Sequence, residues 1–512
     1  MKTIKRQSIF ILTIMLMLTM FTIPVQAEIR PPKREKKEFP EKTKVILFVN
    51  TKKQLKLKNA PKGSKITWNS SNKKIATVTQ KGKVTAKKAG KAKVTAQTEK
   101  ITYTFVITVK KKVKLKNTKG KNASDIAGLK KIIEAQILQG ASISTDLNKT
   151  SQYIWDEKGR LTELHWNKKK LKGSLALKKF PSLKVLECRQ NKLTNLNVSK
   201  NTALEVLNCK ENELKKLDVS HNTALKKLNC QHNKIKKLDL HTNTALTELT
   251  CACNILPALD VTRNTALETF DCSNNKLKKL NIDKNTKLKY LDCGHNDNLS
   301  HLDVSQNTLL EYLYCDYNDL TALDLSNNIF LKHLYCPLNH ITVLDVSRNP
   351  SLSKLNCSYT RITALDLSKN INLTELNCSY NKLTSLDISK NTNLDHLDCR
   401  TNNLTTLDVS RNTALTGLDC SDNALTSLDV SQNTALILLC CSYNNLTNLD
   451  VSQNTALWTL CCENNNLTTL DISKNIYLTS LDCTDNKITT LDLSKNTILE
   501  NYSCDDNVTV KK

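Results

Sequence analysis

From Leu183 onward the chain repeats one 21-residue phrase sixteen times, close to LxxLxCxxNxLxxLDVSxNTA. A unit of that size cannot bury its own apolar side, so successive copies must stack and share one core. That requirement dictates a solenoid. The leading leucines run from Leu183, Leu204 and Leu225 to Leu499, and only the step from Leu288 to Leu310 is 22 residues rather than 21. The extra residue lies in the Asn296-Asp297-Asn298 region. Alternation in LxxLxC predicts a short strand whose Leu, Leu and Cys point inward and whose intervening residues point outward. The Leu-Asp-Val half returns the chain along the opposite wall, and no helix-length pattern fits inside a repeat.

This phrase resembles the leucine-rich-repeat family, in a short bacterial subclass whose second half reads LDxSxN. The resemblance implies a mainly β solenoid whose concave strand face is a docking surface.

Three polar or small columns accompany the leucines. Asparagine follows the cysteine by three in every repeat except one, where Thr360 stands instead. A second asparagine column runs from Asn201, Asn222 and Asn243 to Asn496. A buried amide without partners costs about 1–3 kcal/mol, so both columns are expected to bond turn backbone of their own and neighbouring coils. An aspartate column runs from Asp218 and Asp239 to Asp492, with Asn197 and Asn281 as departures. Stacked carboxylates could form a calcium staircase, but such repeats add glycine-rich turns and this chain has 10 glycines. The expected role is acceptance of hydrogen bonds from the following Ser or Thr, with no metal or cofactor.

All 19 cysteines lie in the repeat region. Sixteen share one inward slot, from Cys188, Cys209 and Cys230 to Cys504, and a single file does not pair as a disulfide framework does. A column of buried thiols follows. Cys253, Cys440 and Cys461 fall outside it. The last two take the same outward slot of adjacent repeats, at disulfide range but with the strain of in-register parallel neighbours.

Residues 1–27 read as a secretory signal: Lys2, Lys5 and Arg6, an apolar run from Ile9 to Ile23, then Val25-Gln26-Ala27. Cleavage would leave nothing apolar enough to span a bilayer. Residues 28–44 form a basic Pro/Lys/Glu linker. Seven β-patterned runs follow, at Val45–Val49, Gln54–Leu57, Ile66–Trp68, Ile75–Thr79, Lys83–Ala86, Ala92–Ala96 and Tyr103–Val109, and predict a small β-sandwich over 45–110. Its wording, Thr67-Trp68-Asn69-Ser70-Ser71-Asn72, Ile75-Ala76-Thr77-Val78 and Gly82-Lys83-Val84-Thr85-Ala86, resembles the bacterial immunoglobulin-like group 2 domain. The resemblance implies a spacer role.

After a linker at 111–121, residues 122–182 read as a cap. Ser124 is placed as the cap of a helix with Ile126, Leu129, Ile132, Ile133 and Ile137 on one face, ended by Gly140. Leu161-Thr162-Glu163-Leu164-His165-Trp166 then copies the repeat opening with Trp166 in the cysteine slot, a degenerate first repeat ahead of the array at 183–512. At the far end Asp505, Asp506, Lys511 and Lys512 offer only a thin charged cover.

The net charge of +28 is unevenly placed. Residues 1–182 hold 43 Lys and Arg against 11 Asp and Glu, or +32; residues 288–512 hold 15 against 26, or −11. A basic stem on an exported protein suits an anionic cell-wall polymer. Nucleic acid is a poor fit, because the lysines are not interleaved with aromatics.

Most outward slots carry Asn, Asp, Ser or Lys. Repeats six to ten differ, with Tyr290, Tyr312, Tyr314, Tyr317, His333, Tyr335, Tyr359 and Tyr380 in or beside them. Seven of the chain's 12 tyrosines fall there, and tyrosine concentrates at binding hot spots. No nucleophile elbow, zinc-binding helix or phosphate loop occurs. The expectation is a secreted or surface-associated, non-catalytic adhesion protein that binds a protein or glycan through this patch. A purely structural wall component is the alternative.

Overall fold

The computed structural model describes residues 42–57, 64–99 and 101–512, in two compact units that meet between Lys111 and Lys112. The signal segment 1–27 and most of the following linker lie outside the described residues.

The first unit has seven strands: β1 Thr43–Phe48, β2 Lys52–Gln54, β3 Thr67–Ser70, β4 Ala76–Val78, β5 Lys83–Ala86, β6 Gly90–Gln97 and β7 Thr102–Lys110. Six overlie the β-patterned runs, whereas β2 lies ahead of the expected Gln54–Leu57 and shares only Gln54 with it. They make two sheets, β1-β7-β6-β3 and β2-β5-β4. β1 runs parallel to β7, while β6 pairs antiparallel with both β7 and β3. Period-two alternation sends Ala92, Val94 and Ala96 of β6 inward against Phe105, Ile107 and Val109 of β7. Trp68 stacks on Phe105 at 5.9 Å. Gly82 closes the turn before β5 at φ +75°, and a Cβ there would sit 2.5 Å from the Trp68 ring.

The second unit begins with helix α1, Ala123–Leu138. Its N-cap is Asn122, not Ser124: the Asn122 Oδ1 accepts from the Ser124 and Asp125 amides. Asparagine reaches those orphan donors as well as serine does, and the chain turns helical two residues earlier than the pattern suggested. At the other end the Gly140 amide donates to the Ile137 carbonyl and the Ala141 amide to that of Gln136, with Gly140 at φ +96°. This is the Schellman closure that glycine permits. Leu129, Ile133 and Ile137 are buried, Ile126 and Ile132 only partly so. Strands β8 Tyr153–Trp155, β9 Leu161–His165 and β10 Lys172–Ala176 follow.

The helix covers the open end of the core by replacing missing backbone partners with side chains. Gln136 is buried on α1. Its amide donates to the Lys172 and Ser174 carbonyls and accepts from the Lys172 amide, serving as a neighbour for β10. Asp125 accepts from the Leu161 amide at the start of β9. Trp166 fills the first cysteine slot and meets Tyr153 edge-on at 6.3 Å.

From there each coil adds one three-residue strand, Val185–Glu187 pairing with β9 and the series ending at Asn501–Ser503. Every step is parallel and in register, Leu186 on Leu207, Leu207 on Leu228 and onward. The central leucine is buried while its neighbours face out. In the cysteine file Cys188 through Cys462 are at or near zero exposure and every cysteine is a free thiol. Burial pushes the Cys188, Cys230 and Cys336 thiols up to about 12.

The two asparagine columns do different work. In the first, Asn212 donates to Cys209 and Lys210 in its own coil and to Cys188 in the previous one, and accepts from the Leu193 amide at 3.0 Å. Every hydrogen-bonding group of that amide is used. In the second, Asn222 donates to the Val198 and Asn201 carbonyls of the previous coil, while its Oδ1 has no protein partner, as in all fifteen copies from Asn201 to Asn496. Asp218 accepts from the Ser220 amide and hydroxyl at 3.0 and 2.7 Å. Those bonds hold it below the ordinary carboxylate range.

The C-terminal end is closed by more than charge. Thr509–Lys511 pairs in parallel with Thr490–Asp492. The Asp505 carboxylate accepts from the Asp485 and Asn486 amides, standing where a further coil would offer carbonyls. Among the described residues no helix is long and apolar enough to cross a membrane.

Candidate functional site

Because register is held from coil to coil, each outward slot becomes a row across the sheet. The first row reads Thr269, Tyr290, Tyr312, His333 and Lys354; the second reads Asp271, Asp292, Tyr314, Tyr335 and Asn356. Parallel neighbours stand about 4.8 Å apart, so rings in one row must tilt against each other. Tyr290 contacts Tyr312 at 6.2 Å and Tyr314 at 5.5 Å. Tyr312 meets His333 edge-on at 4.9 Å, and Tyr314 meets Tyr335 at 6.0 Å. Five of the eight residues singled out from the sequence therefore form one connected aromatic surface, each ring half-buried.

The other three sit elsewhere. Tyr317, Tyr359 and Tyr380 occupy the turn position two residues after the cysteine, at φ 49°, 50° and 54°. Every coil places a non-glycine residue there in the left-handed region, from Gln190 to Asp485. That backbone fans the side chains along the edge of the sheet rather than over its face. Tyr317, 41% exposed, stacks on His295 at 4.1 Å. Tyr359 and Tyr380 stack on each other at 3.9 Å, and the Arg400 guanidinium lies 5.7 Å over the Tyr380 ring. The Leu338 turn separates the two stacks.

The sequence shows Asp and Asn around these rings but does not single out the carboxylates Asp271, Asp292 and Asp316. Asp271 and Asp292 are in-register neighbours; in the next coil Tyr314 takes that slot, and Asp316 lies two residues further on, just after Cys315. Burial raises all three, and for Asp292 burial and the nearby Asp271 charge together bring it to about 7. His295 pairs with Asp316 at 3.2 Å. Gly294 leaves room for this pair, since a Cβ there would lie 2.4 Å from the Asp316 Oδ1. Further along, Arg400 bridges Asp398 at 3.4 Å and Asp419 at 3.2 Å, and burial pushes Asp398 up to about 7. The signal was present in the repeat: Asp in the same outward slot of consecutive coils. The arrangement presents aromatic faces bordered by carboxylates that burial raises above the ordinary range, Asp292 to about 7.

The bacterial Ig-like domain (group 2) family matches residues 40–109. No curated protein matches the chain. Among solved structures, the functional domain of InlJ from Listeria monocytogenes, described as including a cysteine ladder, is 34% identical. The likeness covers 67% of this chain and 72% of that one, with a TM-score of 0.59. The chain belongs to the internalin-like leucine-rich-repeat family. A leucine-rich-repeat protein of Leptospira interrogans is similar at 26% identity and TM-score 0.53, over 65% of this chain and 89% of that one. YopM from Yersinia enterocolitica shares the fold at 23% identity and TM-score 0.50, over 68% and 90%. In this internalin-like chain a file of buried free thiols runs from Cys188 to Cys483. The aromatic face is built on coils six to eight, above Cys293, Cys315 and Cys336 of that file.

Proposed function

We propose that this chain is a secreted or cell-surface, non-catalytic adhesion protein whose outward strand face binds a protein partner. The observation that carries the reading is the connected surface of Tyr290, Tyr312, Tyr314, His333 and Tyr335 beside Asp271, Asp292 and Asp316. Half-buried tyrosines lose little side-chain entropy on binding and offer both apolar area and a hydroxyl. Bordering carboxylates select for a partner with basic groups facing them. The export pattern of residues 1–27 and the Ig-like match at 40–109 support a location outside the cell.

The test is the full mature chain against the same chain carrying Tyr312→Ser, Tyr314→Ser and Tyr335→Ser, on parallel arrays of extracellular proteins and of glycans. Each buried tyrosine contact is worth about 1–2 kcal/mol, so binding to the protein partner should fall beyond detection. Retained binding refutes the reading. Binding confined to the glycan array transfers the patch to a carbohydrate ligand.

The charge distribution favours a second contact. With +32 over residues 1–182, the stem suits electrostatic association with an anionic cell-wall polymer. Retention on intact cell walls should then fall steeply as salt is raised.

A further inference from the structure

Two outward slots out of the whole array hold cysteine, and they are adjacent. Cys440 and Cys461 pair in register on neighbouring strands, each partly exposed and each a free thiol. Their row continues Asp419, Cys440, Cys461, Asp482. The ladder on both sides is intact, with the Cys420 amide donating to the Cys440 carbonyl and the Cys441 amide to that of Cys461, both at 2.8 Å. Leu439 and Leu460 beneath them are fully buried. The two thiols therefore stand side by side on a rigid base, in direct interaction with each other.

We propose that Cys440 and Cys461 form a two-ligand site for a soft monovalent cation of the Cu(I) class. Spacing argues for a bridging ion. Neighbouring strands are about 4.8 Å apart, and two metal–sulfur bonds of about 2.3 Å laid end to end span about 4.6 Å. A disulfide instead requires the sulfurs to close to about 2.05 Å, with Cβ atoms near 3.8 Å, against a hydrogen-bonded ladder that holds the strands in place.

Ligand number argues for the class of ion. Among the described residues no third His, Cys, Asp or Glu joins these two in a metal-holding group. Zinc takes four ligands in tetrahedral array and calcium six or more oxygens, whereas thiolate softness selects Cu(I). A thiophilic cation displaces the protons as it binds: one M⁺ and two thiols give one dithiolate complex and two released protons, with no change of oxidation state.

The experiment titrates the full, reduced chain with Cu(I) under anaerobic conditions against a chromophoric Cu(I) chelator, reading metal and proton stoichiometry together. The expected result is one Cu(I) bound and two protons released per chain, with both lost in C440S and in C461S and both kept in C253S. Serine occupies the same slot at Ser503, and unchanged circular dichroism establishes that the variants fold. Equal uptake by C440S and the unmodified chain overturns the proposal. So does conversion of the pair to a disulfide, read as a loss of two mass units under mild oxidant with no Cu(I) taken up beforehand.

Discussion

Thr360 is the one break in the fully bonded asparagine column, and it makes a quantitative test of what that column contributes. One coil earlier, Asn339 donates to the Cys315, Cys336 and Pro337 carbonyls at 3.0, 3.0 and 3.3 Å and accepts from the Leu320 amide at 3.0 Å. Thr360 has a hydroxyl within 2.8 Å of the Cys357 carbonyl and 2.7 Å of the Asn381 Oδ1. A single hydroxyl proton serves one of these at a time, and neither contact reaches back to the preceding coil. Thr360→Asn would add a donor to the Cys336 carbonyl and an acceptor for the Ile341 amide. It would also free the Asn381 Oδ1 to take the Ile362 amide, now 3.3 Å away, more closely. Two added bonds at about 0.5–1.5 kcal/mol each give about 1–3 kcal/mol. The gain is local, so amide exchange is the sharper assay. The Ile341 amide should slow by a factor of roughly 5–30 per 1–2 kcal/mol gained, and the urea midpoint should rise at unchanged slope. Asn339→Thr should do the reverse to Leu320. Faster exchange at Ile341 in Thr360→Asn, or no change, would refute the account of the column as an inter-coil clamp.

Asp292, raised to about 7, binds a proton in the folded chain that the unfolded chain, at about 3.9, has already released. The contribution is therefore complete below pH 4 and is lost as pH rises through 7, to at most about 4 kcal/mol. Asp292→Asn should flatten the fall in urea midpoint between pH 5 and pH 8, and an unchanged slope would count against burial as the cause. Gly82→Ala forces a Cβ against Trp68 at a positive φ. It should cost the first unit about 1–3 kcal/mol, read as an earlier loss of Trp68 fluorescence on heating; an unshifted transition would remove the steric argument.

Period alone carried most of the architecture. A leucine every 21 residues leaves one stacking solution, and the strand of each coil falls where LxxLxC alternates. Six of the seven short runs of the first unit emerged as strands for the same reason, because alternation at period two survives packing, while Gln54–Leu57 shares only its first residue with β2. What stayed hidden depends on partners far apart in sequence. Asn122 and Ser124 both cap well in isolation, and only the path of the chain into α1 chooses between them. Gln136 reads as an exposed helix residue until β10 arrives beside it. The two asparagine columns look alike in the repeat, yet one is closed on all sides and the other leaves its Oδ1 without a protein partner. That distinction belongs to the neighbouring coil's carbonyls, which the phrase does not encode.

The candidate site was half legible for a related reason. Seven clustered tyrosines stand out against a repeat that otherwise prefers Asn and Asp, but slot decides what each can do. A strand slot gives a ring lying on the sheet, as in Tyr312 and Tyr335, whereas the left-handed turn slot sends Tyr359 and Tyr380 into an edge stack. The columns that hold the coils in register are inward or on the turns, so substitution in the first outward row, Thr269 to Lys354, leaves those bonds untouched. The second row is less free, because its Asp and Asn side chains also accept turn amides two residues on, Asp271 from Ser273 and Asp292 from Gly294. Departures from the repeat in those rows, aromatic in coils six to eight and thiol in Cys440 and Cys461, are then the places where recognition is to be sought. The uniform rows are its frame.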